Sequence, residues 1–123
     1  MGGVSDLICI VDDDASVRRA LGRIVRSLGF DVQLLASARE CLDGSSVDRA
    51  SCLIVDVMMP DMDGFELYAL LAASGRDIPT IFISGQDNQN NFDRPQSAGC
   101  VAMLNKPCDA DLLHDAIIKA IAI

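Results

Sequence analysis

Five short apolar runs, Leu7–Val11, Val32–Leu35, Cys52–Val55, Thr80–Ile83 and Val101–Leu104, punctuate the chain, with room for a helix between each pair. Most are apolar at every position instead of every second one, as parallel strands are when helices cover both faces. The intervening segments carry the other period. Val17, Leu21, Ile24, Val25 and Leu28 recur at helical spacing, Arg18, Arg19, Arg23 and Arg26 take the wet face, and Gly29 supplies a stop. Ser37 and Asp63 each stand three residues before a glutamate, Glu40 and Glu66, and mark two more helix starts. A last helix opens near Asp109 and is expected to bury Leu112, Leu113, Ala116, Ile117, Ala120 and Ile121. Strand and helix in this alternation predict an α/β fold, a (βα)5 chain wound doubly around a five-stranded parallel sheet.

One stretch fits that plan poorly. Residues 87–97 fall where the fourth helix belongs, yet Phe92 is their only large apolar anchor and Asn and Asp dominate. Pro95 would remove a hydrogen bond from the third turn of such a helix. The expectation is an irregular loop over 86–94, followed by a short helix opening close to Pro95.

At 123 residues, half of them hydrophobic, the chain makes one domain, 1–123, with a real core. Its net charge of −8 argues against direct binding to nucleic acid or to an anionic membrane. Five scattered cysteines without a C-x-x-C pair indicate neither a zinc site nor a disulfide framework, and suit a reducing cytoplasm. No apolar run approaches the roughly 20 residues of a membrane span, and the N-terminus does not read as a secretory signal.

In such a fold, ligands bind outside the carboxyl ends of the strands. Asp12, Asp13 and Asp14 follow the first strand, Asp56 ends the third, Ser84 ends the fourth, and Lys106-Pro107 follows the fifth. Grouped carboxylates repel one another unless a cation joins them, and a hard divalent ion such as magnesium prefers oxygen ligands. A carboxylate can also be the nucleophile that forms an aspartyl-phosphate, with Lys106 and Ser84 meeting the incoming oxygens.

Val11-Asp12-Asp13-Asp14, the run from Asp56 to Gly64, Ile83-Ser84-Gly85 and Lys106-Pro107 resemble the four signatures of bacterial response-regulator receiver domains. Each motif alone says little; in this order at strand ends they are specific, and the likeness runs from Leu7 to about Ile121. Val17-Arg18, Met59-Pro60 and Ser97-Ala98-Gly99 are similar to the nitrogen-fixation and nodulation type. The resemblance implies the flavodoxin-like strand order 2-1-3-4-5. It also implies a phosphoacceptor at Asp56, a switch hydroxyl at Ser84 and a phosphate-binding lysine at Lys106. Mg2+ would be held by Asp13, Asp56 and the Met58 carbonyl, with Asp12 reaching it through water. Met58 and Gln86 fall at the positions that tune phosphoryl lifetime. The implied partners are a sensor histidine kinase and an output domain or second copy, engaged through the helix before the fifth strand and the last helix. The output is transcription control, usually through a helix-turn-helix domain that follows the receiver. The chain is then a cytoplasmic phosphoacceptor in a phosphorelay, not a turnover enzyme. Met103 stands where the family usually has a switch tyrosine or phenylalanine, and a flexible methionine should report the state of the site less sharply.

Plainer readings exist. Asp14, Asp63 and Asp109 read as helix caps, His114 as a solvated side chain, and the methionines as packing. Asp12 with Asp14 also matches the nucleophile and acid/base offset of haloacid-dehalogenase phosphatases, although the chain lacks their usual cap domain and length. A flavin carrier would need glycines and hydroxyls where three aspartates stand, and a calcium loop would need a glycine at Val17 and a glutamate at Arg23. A degenerate receiver used only for docking would not need the full acid set.

Overall fold

The computed structural model describes residues 6–44, 46–85 and 100–122. Among the described residues ten elements follow one another: β1 (Leu7–Val11), α1 (Ala15–Ser27), β2 (Asp31–Leu35), α2 (Ala38–Asp43), a 3-10 turn (Ser46–Arg49), β3 (Cys52–Asp56), α3 (Gly64–Ala73), β4 (Thr80–Ser84), β5 (Cys100–Asn105) and α4 (Ala110–Ile121). The strands form one parallel sheet in the order β2-β1-β3-β4-β5. β3 and β4 are buried at every position, and β1 at all but its first. β2 lies at an edge and alternates between exposed and partly buried before closing on buried Leu35. The continuous apolar runs thus belong to the middle of the sheet, where both faces are covered.

Two hydrophobic cores result, one on each face. Cys9, Val11, Leu53, Val55 and Phe82 pack beneath α2 and α3, with Cys41, Leu67, Tyr68 and Leu71 above them. Ile8, Ile10, Cys52, Ile54, Ile81 and Ile83 point the other way, onto Leu21 and Val25 of α1 and Leu113, Ala116, Ile117 and Ala120 of α4. Phe82 meets Phe65 and Tyr68 edge to face, at ring separations of 4.8 and 5.8 Å. Burial lifts the thiols of Cys9 and Cys41 to about 11 and that of Cys52 to about 12, so they behave as small core residues.

The helices start where side chains can cap them. Asp14 accepts from the amides of Ser16 and Val17, and Asp109 from those of Asp111 and Leu112. Asp63 and Glu66 complete a reciprocal capping box at α3. At α2 only half of that device forms: Ser37 accepts from the Glu40 amide without a return bond. α1 ends as expected at Gly29, whose φ of 100° is open to glycine at no steric cost.

Two side chains sit differently from expectation. Leu112 is 57% exposed, because Leu113, Ala116, Ile117 and Ala120 already fill the face of α4 that meets the sheet. Arg18 is not on the wet face of α1: it is half-buried and reaches back to Asp12. The loop and short helix expected over 86–97 lie outside the described residues. Met103 is within them, in register with Phe82 and packed partly buried against the same core.

Candidate functional site

The parallel register brings the carboxyl ends of β1, β3, β4 and β5 to one rim. Val11 pairs with Val55, Asp56 with Ile83, and Ser84 with Asn105, so each residue just beyond a strand meets its neighbours there. Asp12 and Asp56 are nearly completely buried, at 0% and 3% exposure, while Asp13 is exposed at the mouth. One carboxylate oxygen from each of the three lies within 4.8 Å of the others. Lys106 reaches in from the end of β5, its Nζ 3.2 Å from both Asp12 Oδ2 and Asp56 Oδ2.

Each acid is held by its local backbone. Asp12 accepts from the Asp14 amide through Oδ1 at 2.9 Å, and its own amide donates to the Leu35 carbonyl at 3.1 Å. Asp56 Oδ1 accepts from the Met58 amide at 3.2 Å. Lys106 is tied to the fourth strand, its amide donating to the Ser84 carbonyl at 2.8 Å. Met58 therefore joins the site through its N–H, the residue itself being 47% exposed.

Two buried polar atoms at this rim have no hydrogen-bond partner among the described residues, Asp12 Oδ2 and Ser84 Oγ. Asp12 Oδ2 has the Lys106 ammonium for charge but no aligned donor, and Ser84 Oγ has neither. Such groups are costly to leave unmet, and a ligand would satisfy them. Three carboxylates and one ammonium also leave two negative charges in excess, which one divalent cation would cancel. The donors are all oxygens, as a hard cation requires. The residues present therefore fit such an ion.

Burial pushes the Asp56 carboxyl up to about 6; the Asp12 carboxylate adds to this, and Lys106 opposes it. Burial works against the Lys106 ammonium too, but the pull of Asp12 and Asp56 outweighs it and raises its pKa.

Behind the acid stands Gly64, the first residue of α3. Its amide donates to the Val57 carbonyl at 2.9 Å, and a Cβ on it would lie 2.6 Å from the Asp56 carbonyl and 3.0 Å from Val55 Cγ1. Gly64→Ala should thus push β3 and α3 apart beneath Asp56 and cost about 1–3 kcal/mol. Urea denaturation measures this; an unchanged midpoint would mean the loop relaxes freely.

The family model for the response regulator receiver domain matches residues 8–118. The chain belongs to this family. Nodulation protein W of Bradyrhizobium diazoefficiens is 37% identical to the receiver over 114 residues, 93% of this chain and 50% of that protein. Response regulator protein TmoT of Ectopseudomonas mendocina is 37% identical over 121 residues, 98% of this chain and 55% of its own. The receiver thus spans about half the length of these curated relatives. Among solved structures, the response regulator receiver protein from Burkholderia phymatum superposes with a TM-score of 0.81 at 36% identity, covering 96% of both chains. The flavodoxin-like order expected from the sequence is the order found, and the nodulation-type likeness is matched by a relative of that name. Among the described residues no helix is long and apolar enough to cross a membrane.

What the sequence did not indicate is Arg18. Its Nη1 donates to the Asp12 carbonyl at 2.7 Å, six residues back along the chain. The available signal was weak: a basic residue one turn into the helix that follows the acidic loop.

Proposed function

We propose that Asp56 is the phosphoacceptor of this receiver, in a reaction that needs a divalent cation, Mg2+, at the acidic rim. The observation that carries this is the setting of Asp56. It is a buried carboxylate grouped with Asp12 and Asp13, 3.2 Å from Lys106, at a rim where the buried Ser84 hydroxyl has no partner among the described residues. Asp56 attacks phosphorus with a carboxylate oxygen; the new P–O bond forms as the bond from phosphorus to the donor's imidazole nitrogen breaks. Lys106 and Ser84 take up phosphoryl oxygens, which gives Ser84 Oγ the partner it otherwise lacks. Asp13, Asp56 and the Met58 carbonyl would hold the cation, with Asp12 supporting it through water. When bound, the ion supplies positive charge between carboxylates and phosphoryl oxygens that would otherwise repel.

The phosphoryl donor in this reading is a sensor histidine kinase. An apolar groove of about 330 Å³, walled by Val17, Ala20, Ile24, Pro107 and Cys108, opens beside Lys106 and offers such a partner a seat. The output is transcription control in the cytoplasm, through a further domain or a second copy engaged by the segment before β5 and by α4. The receiver itself, 1–123, would not touch DNA. The haloacid-dehalogenase reading is disfavoured, because the family model that matches is the receiver's and Asp14 is turned to cap α1 through Oδ1.

Incubation with acetyl phosphate and Mg2+ should add one phosphoryl group per chain by mass spectrometry, stable in acid and labile in base. Asp56→Asn should carry none. Full labelling of that variant would move the acceptor elsewhere.

A further inference from the structure

We propose that Arg18 is a positioning residue for the cation site: by holding the Asp12 carbonyl it fixes the peptide that aims Asp13. This rests on the reading of the acidic rim as a divalent-cation site. α1 carries four arginines, and Arg19, Arg23 and Arg26 are all exposed, as charges on a solvated face should be. Arg18 alone is drawn inward, with its Nη1 2.7 Å from Asp12 O.

That oxygen belongs to the peptide joining Asp12 to Asp13, so its direction sets where the Asp13 side chain leaves the backbone. Asp12 has anchors of its own, in the Leu35 carbonyl, the Asp14 amide and the Lys106 ammonium. The Asp13 carboxylate has none: no hydrogen bond or ion pair restrains it among the described residues, and it is exposed. Yet it converges with the carboxylates of Asp12 and Asp56. With no contact of its own, its place depends on the peptide plane, and Arg18 is the side chain that holds that plane. A guanidinium suits this task, being always charged and offering planar donors of fixed direction.

Charge and position make opposite forecasts. Arg18 is a cation beside a cation site, so by Coulomb's law alone its removal should tighten binding of another cation. Loss of positioning should weaken it. The experiment is calorimetric titration of the whole chain with Mg2+ alone, for the parent, Arg18→Ala, Arg18→Lys and Arg19→Ala, with Asp13→Asn as reference. Melting in chelator confirms that each variant is folded, and Arg18→Gln, which keeps a shorter donor, stands in if Arg18→Ala is not.

The expected result is about a tenfold loss of Mg2+ affinity in Arg18→Ala, the scale seen when partners behind a metal ligand are removed. Arg18→Lys should recover part of it and Arg19→Ala should match the parent. Equal or tighter binding by Arg18→Ala, while Asp13→Asn still abolishes it, overturns the positioning role and leaves the cation site standing. A parent that binds no Mg2+, or binds it independently of Asp13, overturns both.

Discussion

In chelator at neutral pH, Asp56→Asn should melt several degrees above the parent protein, although it deletes the group on which the proposed chemistry depends. Asp56 is ordinarily an acid of pKa 3.8, and burial among like charges lifts it to about 6 in the fold. A folded pKa above the unfolded one means that the folded state holds the proton more tightly. Stability therefore falls as pH rises from about 4 to about 6, and the deficit is complete above that window. A shift of this size corresponds to about 2–3 kcal/mol. Asn can still accept from the Met58 amide but carries no charge to bury. A gain of about 1–3 kcal/mol, on the order of 5–10 °C, is expected at pH 7.5, vanishing near pH 4. Magnesium should reverse the ranking, because it stabilises only the chain that binds it. Thermal melts across pH, in EDTA and in Mg2+, would check this. A variant that melts below the parent in EDTA at pH 7.5 would show that Lys106 already compensates the charge. On the proposed reading the site trades stability for reactivity: the carboxylate proposed as nucleophile is held where ionisation is costly.

The strands and the rim were legible in the sequence for one reason: both depend on local pattern. Runs such as Cys52–Asp56 are buried on both faces and so carry no polar residues until the strand ends, which made Asp56 conspicuous. Asp12, Ser84 and Lys106 stood out in the same way, and the parallel register that joins strand ends does the rest. Leu112 was misread because two leucines adjoin, and only Leu113 keeps the three- and four-residue spacing of Ala116, Ile117 and Ala120. Arg18 was misread for a deeper reason. Helical periodicity assigns faces by backbone angle, whereas a long side chain can turn back along the helix to a carbonyl six residues away. Contacts that depend on side-chain reach leave no period to read, and the residues that position an acid are commonly of that kind.

Lys106→Ala should show the opposite balance from Asp56→Asn. Lys106 Nζ stands 3.2 Å from Asp12 and from Asp56, both buried, and is the ammonium between them. Removing one member of a buried ion pair leaves an uncompensated charge, at a cost of roughly 3–5 kcal/mol; here the lysine is itself partly exposed and the rim opens to water, so about 2–4 kcal/mol is expected. The loss should be largest at neutral pH and shrink as acid protonates Asp56, whose pKa must rise further once the opposing cation is gone. Divalent metal should then do for the variant part of what the lysine does for the parent. The stabilisation produced by a saturating Mg2+ concentration should be greater in Lys106→Ala, since the ion no longer shares Asp12 and Asp56 with an ammonium. Phosphorylation should not be rescued in the same way, because a phosphoryl oxygen would still lack its lysine contact. Denaturation in EDTA and in Mg2+, beside phosphorylation by acetyl phosphate, separates the two roles. If the variant were as stable as the parent in EDTA, the Lys106 ion pairs would be ornaments of the fold. A variant that gained stability from Mg2+ and yet was phosphorylated normally would confine the lysine to charge balance and remove it from the chemistry.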